Sequence, residues 1–225
     1  MEEKPRDIAA RAQKIFLPAA AAVVAHGAAL VVFPGGRFEP ERLMYYTVMS
    51  NVLLALGFVA LALARPDGRA RPWVSLGVLL PILVTGIVYN LALVPVAGAA
   101  PFFSDYSNFV THFLSMVLAL ANYFVFEKKG LLGWRHVPAA LAFTFAYWAV
   151  FMAIGPAIGF QPYFFMRPQE VGWLLVMAFF LGMLALLLGL SYLLLRHDRA
   201  AGARVREMRV REMRVRVREI RGRRG

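Results

Sequence analysis

His112 is the first residue in this chain whose surroundings suggest chemistry. It lies inside Ser104 to Phe126, an apolar stretch long enough to cross a membrane, in the company of Asn108, Thr111 and Ser115. An ionisable side chain within hydrocarbon is expensive, so an intramembrane histidine marks a functional site by default. The i, i+4, i+7 spacing of Asn108, His112 and Ser115 predicts that the three share one face of a helix. A second polar set, Thr47, Ser50 and Asn51, falls at i, i+3 and i+4 in another apolar stretch and predicts a single helical face there too. Thr85, Tyr89 and Asn90 form a third set, and His26 stands in a fourth stretch.

A threonine hydroxyl is a poor nucleophile until a base takes its proton, and a neutral histidine within hydrogen-bond reach can be that base. Asn108, Tyr89 or Asn51 can orient the imidazole or donate to a developing oxyanion. The residues therefore name a Thr47–His112 acyl-transfer site that a lipid ester enters from the side. Serine, threonine and asparagine also hydrogen-bond across membrane helices simply to hold them together, and a buried histidine can be a satisfied structural one. What separates a site from packing contacts is convergence of the sets at one depth. A hydroxyl and a ring more than about 6 Å apart would leave the threonine without its base.

The elements that must bring these residues together are transmembrane helices. Of 225 residues, 60% are hydrophobic and 17% charged, with a mean hydropathy of +0.61. Apolar runs of about twenty residues, separated by short charged or Pro/Gly-rich joints, predict an all-α polytopic membrane protein with six spans in one bundle. The spans are expected at about 15–33, 41–64, 73–94, 104–126, 134–154 and 171–195, making residues 1–195 one integral membrane domain. Pro34-Gly35-Gly36, Arg65-Pro66-Asp67-Gly68-Arg69, the uncharged Pro95–Pro101 and Glu127-Lys128-Lys129-Gly130 are the first joints, and Gly155–Pro168 is an aromatic-rich fifth. Pro81 is expected to kink the third span.

Lys and Arg distribute unequally between the two sides. The N-terminus, the second and fourth joints and the C-terminal stretch hold 22, whereas the other side has only Arg37, Arg42 and Arg167. The positive-inside rule then predicts a plasma-membrane protein with both termini cytoplasmic. Acidic residues interrupt the basic lead-in to the first span, which favours a retained span over a cleaved leader. With this orientation Thr47, His26 and His112 lie about 9, 10 and 12 Å below the outer ends of their spans, so an outer-leaflet pocket built by spans 1 to 4 is expected.

Residues 196–225 carry twelve Arg against Asp198, Glu207, Glu212 and Glu219, and Val-Arg-Glu-Met-Arg occurs twice. They read as a low-complexity, solvated cytoplasmic tail that meets anionic lipid headgroups. Nucleic acid is not expected as a partner, because no aromatic residue lies in the run to stack on bases. The chain has no cysteine, which excludes thiolate catalysis and cysteine-based metal centres. No metal site and no cofactor are expected, since His26 and His112 lie apart from His136 and His197 and no H-E-x-x-H spacing occurs. Acidic residues are missing from within the spans, which disfavours proton-coupled transport.

Several short motifs, in order, resemble one known family. Tyr45-Tyr46-Thr47-Val48-Met49-Ser50-Asn51, Val84-Thr85-Gly86-Ile87-Val88-Tyr89 and Asn108-Phe109-Val110-Thr111-His112 are similar to segments of the androgen-induced-type six-span membrane proteins. Glu127-Lys128-Lys129-Gly130 and Gln161-Pro162-Tyr163-Phe164-Phe165 look like the bacterial branch of that family. The resemblance covers about residues 40–195 and departs from the family at Ser115-Met116-Val117, where many relatives carry a proline, and at Asn122, where bacterial relatives often have an acidic residue. It implies a hydrolase of fatty-acid esters of hydroxy fatty acids, with Thr47 as nucleophile and His112 as base. His26, Ser50, Asn51, Thr85, Tyr89, Asn90, Asn108, Thr111 and Ser115 are then the expected pocket-lining or orienting residues. The alternative is a non-catalytic membrane protein that binds or transports a lipid or small molecule.

Overall fold

The computed structural model describes residues 5–64, 68–101 and 103–222. The first residues of the turn expected at 65–69 lie outside these ranges, as do 1–4 and 223–225. The fold is all-α, without a sheet among the described residues, and it contains six helices long and apolar enough to cross a membrane. They are α1 (Pro5–Val32), α2 (Tyr46–Leu63), α3 (Arg71–Ala97), α4 (Tyr106–Phe126), α5 (Trp134–Ile158) and α6 (Pro168–Gly222).

Between lipid-bathed helices there is little hydrophobic driving force, so close packing of side chains must hold the bundle together. Leu54, Phe58, Leu76, Leu80 and Val24 are completely inaccessible and form its centre. Small residues let α1 lie flat against its neighbours. A Cβ at Gly27 would fall 2.3 Å from the Val110 side chain of α4.

The helices differ from the expected spans in three instructive ways. Residues 41–44 belong to a 3-10 turn, Pro40–Met44, and α2 begins only at Tyr46, which places Thr47 in its first turn. Second, α3 and α4 are not regular. A π turn occupies Tyr89–Leu93 in α3, and two more occupy Val110–Leu114 and Asn122–Phe126 in α4. Each accommodates an extra residue, and such turns are rare in helices and frequent at functional sites. Pro81 sits inside α3, which continues helical through it.

Third, α6 does not stop at residue 195. Gly172, with φ 77° and ψ 152°, breaks its first turn, and the helix then runs on to Gly222. Arg, Glu and Met are good helix formers, and no proline interrupts the basic repeat. The beginning of this extension is docked rather than solvated. Asp198 is fully buried and its Oδ2 accepts the Leu132 N–H at 2.9 Å. Four residues on, Gly202 lies against the backbone of Gly130, where a Cβ would meet Gly130 Cα at 2.5 Å. Beyond Gly202 the arginines from Arg204 to Arg214 are exposed.

Candidate functional site

The Thr47 hydroxyl of α2 and His112 Nε2 of α4 are 3.2 Å apart, within hydrogen-bond range for a hydroxyl and a ring nitrogen. His112 is only 6% exposed, and the Tyr89 ring stacks on it with centroids 3.5 Å apart and planes 23° from parallel. Both Tyr89 and His112 lie in π turns, one on each of two neighbouring helices.

The other side of the imidazole decides its tautomer. His112 Nδ1 lies 3.3 Å from the Asn108 carbonyl and 3.1 Å from Thr111 Oγ1. Thr111 gives its own proton to the Ser107 carbonyl at 2.7 Å, so both neighbours of Nδ1 can accept a hydrogen bond from it. The network therefore places the proton on Nδ1 and leaves the Nε2 lone pair facing Thr47. In that state Thr47 donates to His112, as an activated nucleophile requires.

Helix α2 contributes its N-terminus as well as the hydroxyl. Its first helical bond runs from Met49 N–H to the Tyr45 carbonyl, so the N–H groups of Tyr46, Thr47 and Val48 have no acceptor within the helix. Tyr163, from the joint after α5, brings its hydroxyl against the Thr47 hydroxyl and the backbone N–H groups of Tyr46 and Thr47. Burial pushes this phenol up to about 12, so it is neutral at physiological pH and its O–H remains available to donate.

Asn51 braces the pair. Its Nδ2 donates to the Thr47 carbonyl at 2.7 Å and to the Thr111 carbonyl at 3.0 Å, and its Oδ1 accepts from Ser115 at 2.5 Å. One side chain thus ties the backbone of the threonine to the backbone beside the histidine. Ser50 and Thr85 share a 2.7 Å hydrogen bond that joins α2 to α3. Gly86 completes the arrangement: a Cβ there would stand 2.9 Å from the His112 carbonyl, so α3 and α4 approach this closely only around a glycine.

Three expected site residues lie elsewhere. His26 is exposed on α1, with Tyr106 its ring neighbour at 6.0 Å. Asn90 folds its amide back onto the Gly86 carbonyl of its own helix at 2.8 Å. Asn108 bonds Ser104 and Asp105 at the start of α4 and gives the site only its backbone carbonyl. The π turn explains the separation of Asn108 from Ser115, because its extra residue shifts the face that a regular helix would have continued.

Next to Thr47 is a small pocket of about 40 Å³. Spans 1 to 4 were expected to enclose it. Instead its walls come from α2, α3, α5, α6 and the joint after α5, with Thr85, Tyr89, Trp148, Phe165, Met166 and Met183 among them. α1 cannot contribute, because its small residues close it directly onto α2 and α4, and His112 stands behind Thr47 and Tyr89. The lining is largely aromatic and aliphatic. Thr144, Tyr147 and Trp148 of α5 all line it; their i, i+3, i+4 spacing was a legible helical face. Tyr163 had no such signal, since an aromatic joint residue looks like an ordinary interfacial one.

Comparison with protein-family models, curated proteins and solved structures gives no match to this chain. Among the described residues no three His, Asp or Glu side chains gather as a metal-binding group.

Proposed function

We propose that this protein is a membrane-embedded hydrolase of lipid-like esters, with Thr47 as nucleophile and His112 as general base. The observation that carries the reading is the 3.2 Å Thr47–His112 contact, with the tautomer that its network imposes. Thr47 Oγ1 attacks the ester carbonyl while His112 Nε2 takes its proton. The carbonyl oxygen becomes negative close to the first-turn N–H groups of α2 and the Tyr163 hydroxyl, donors of the kind that stabilise a tetrahedral intermediate. The C–O bond of the ester then breaks, the leaving alkoxide takes the proton from His112, and a threonyl ester remains. Water, deprotonated by the same imidazole, releases the acid and restores Thr47.

The apolar lining favours a hydrocarbon-rich substrate, and the resemblance to the androgen-induced-type family favours fatty-acid esters of hydroxy fatty acids as the substrate class. The excess of Lys and Arg on one side favours both termini in the cytoplasm, with the site in the outer half of a plasma membrane.

The test uses purified protein, hydroxy-fatty-acid esters and a fluorophosphonate probe. Labelling and turnover are both expected, and both are expected to vanish in Thr47→Ala and in His112→Ala. Turnover that survives both substitutions refutes the assignment. The absence of charged side chains from the described pocket lining supports one other reading, a non-catalytic lipid-binding or transport protein. That reading gains if no ester is turned over while a labelled fatty acid still binds.

A further inference from the structure

A second concave site lies at the opposite end of the bundle and shares no residue with the Thr47 pocket. It is a groove of about 380 Å³ where the N-terminal part of α1, the end of α2, the start of α3, the end of α4 and the α6 extension converge. Four cationic residues line it, Lys14, Arg71, Lys128 and Arg209, each from a different segment of the chain. No carboxylate lies among the described residues lining it. Arg71 is a fixed part of the wall rather than a surface charge. It is 6% exposed and held by the Leu61 carbonyl and by Glu127 Oε1, each at 2.9 Å. Glu127 is itself approached by the amides of Gln13 and Asn122.

The rest of the groove is apolar, with Leu17, Leu61 and Phe126 in its wall. These belong to helices long and apolar enough to span the membrane, whereas Lys128 and Arg209 lie beyond the spans' apolar ends. The groove therefore straddles the level at which hydrocarbon gives way to water. Beside it in sequence, Ile15 and Leu63 are 73% and 82% exposed, apolar surface that suits contact with acyl chains. An occupant that satisfies both parts must carry an anion at one end and hydrocarbon at the other. We propose that this groove binds an anionic phospholipid from the leaflet on the side of the chain termini, its phosphate among Lys14, Lys128 and Arg209 and its acyl chains along Leu17, Leu61 and Phe126.

Basic pockets between membrane helices are the usual recognition device for anionic headgroups, and a free anion would leave the apolar wall uncovered. The site also gives part of the arginine-rich extension a defined position. Arg209 reaches the groove because α6 stays helical past Gly202 and passes beneath the bundle. The inference is independent of the Thr47 chemistry and stands or falls without it.

The experiment is native mass spectrometry of the purified full chain, titrated with dioleoylphosphatidylglycerol or with dioleoylphosphatidylcholine. Phosphatidylglycerol is expected to be retained preferentially. In a variant combining K14Q, K128Q and R209Q that retention should fall about tenfold or more. A control combining R204Q, R211Q and R214Q removes as much charge from outside the groove and should retain the lipid. The substituted side chains are exposed, and Ala62→Phe gives an independent arm by filling the groove with every charge in place. It should lower retention as well. Equal retention of the two lipids, equal loss in groove and control variants, or full retention in Ala62→Phe each overturns the proposal.

Discussion

Replacing Asn51 by alanine removes the brace between the two residues of the candidate site without touching either. The side chain makes two hydrogen bonds from α2 to α4, to the Thr111 carbonyl at 3.0 Å and from Ser115 at 2.5 Å, besides one within α2 to Thr47. Interhelical hydrogen bonds in membrane proteins average about 0.6 kcal/mol and reach about 1.7, so two of them stabilise the bundle by roughly 1 to 3 kcal/mol. Ser115 keeps the Val110 carbonyl at 2.8 Å as a second acceptor, which keeps the loss toward the lower end. Reversible unfolding in mixed micelles measures it, and a double-mutant cycle with Ser115→Ala isolates the shared bond as a coupling of about 0.6 kcal/mol or more. Labelling of Thr47 by a fluorophosphonate should slow by about tenfold, since a misplacement of an ångström at a reacting pair costs up to about a hundredfold. If Asn51→Ala is as stable as the parent and shows no coupling to Ser115, the brace argument is wrong. If stability falls while labelling is unchanged, Asn51 holds the helices but not the geometry of the pair.

Gly86→Ala places a Cβ 2.9 Å from the His112 carbonyl and should push α4 away from α3, shifting His112 relative to Thr47; turnover falls with little change in KM, as measured against Ser50→Ala as a packing control. Tyr163→Phe keeps the aromatic wall and deletes one donor beside Thr47, so kcat should drop by about a hundredfold while the affinity for a non-hydrolysable ether analogue holds. Asp105 caps α4 by accepting the Asn108 N–H at 2.8 Å, and that bond, with those from Ser107, holds its carboxyl below the usual carboxylate range. A depressed folded value means stability that is present above the unfolded pKa and lost as pH falls through the folded one. The difference in melting temperature between the parent and Asp105→Ala should therefore be constant above about pH 5 and vanish in stronger acid.

The six-helix architecture was legible because length and apolarity alone define a membrane-crossing helix, and Thr47 and His112 stood out because polar groups are costly there. Their partners were less so. The face of Asn108, His112 and Ser115 was drawn on a regular helix, and nothing in Asn-Phe-Val-Thr-His signals the π turn that moves Asn108 aside. His26 had the right depth but the wrong direction, since depth follows from counting residues whereas direction follows from how Gly27 seats α1 on α4. The pocket moved from spans 1–4 to α2, α3, α5 and α6 because the small residues of α1 close one side and the bulky side chains of α5 and the following joint leave room on the other. The end of α6 was not legible in the sequence for another reason. A change from apolar to charged composition marks where a membrane ends, and an Arg-, Glu- and Met-rich helix has no cause to stop there.

That continuity makes α6 a strut shared by two sites. From Gly172 to Gly222 it has no break, and it bears on the rest of the protein where Gly202 meets Gly130 with no side chain between them. On one arm Met183 forms part of the pocket beside Thr47, and on the other Arg209 lies in the basic groove. About 39 Å of unbroken helix separates these two residues. Buried at Val176, Leu187, Leu195 and Asp198 along its length, this single helix gives the pocket and the groove one common wall.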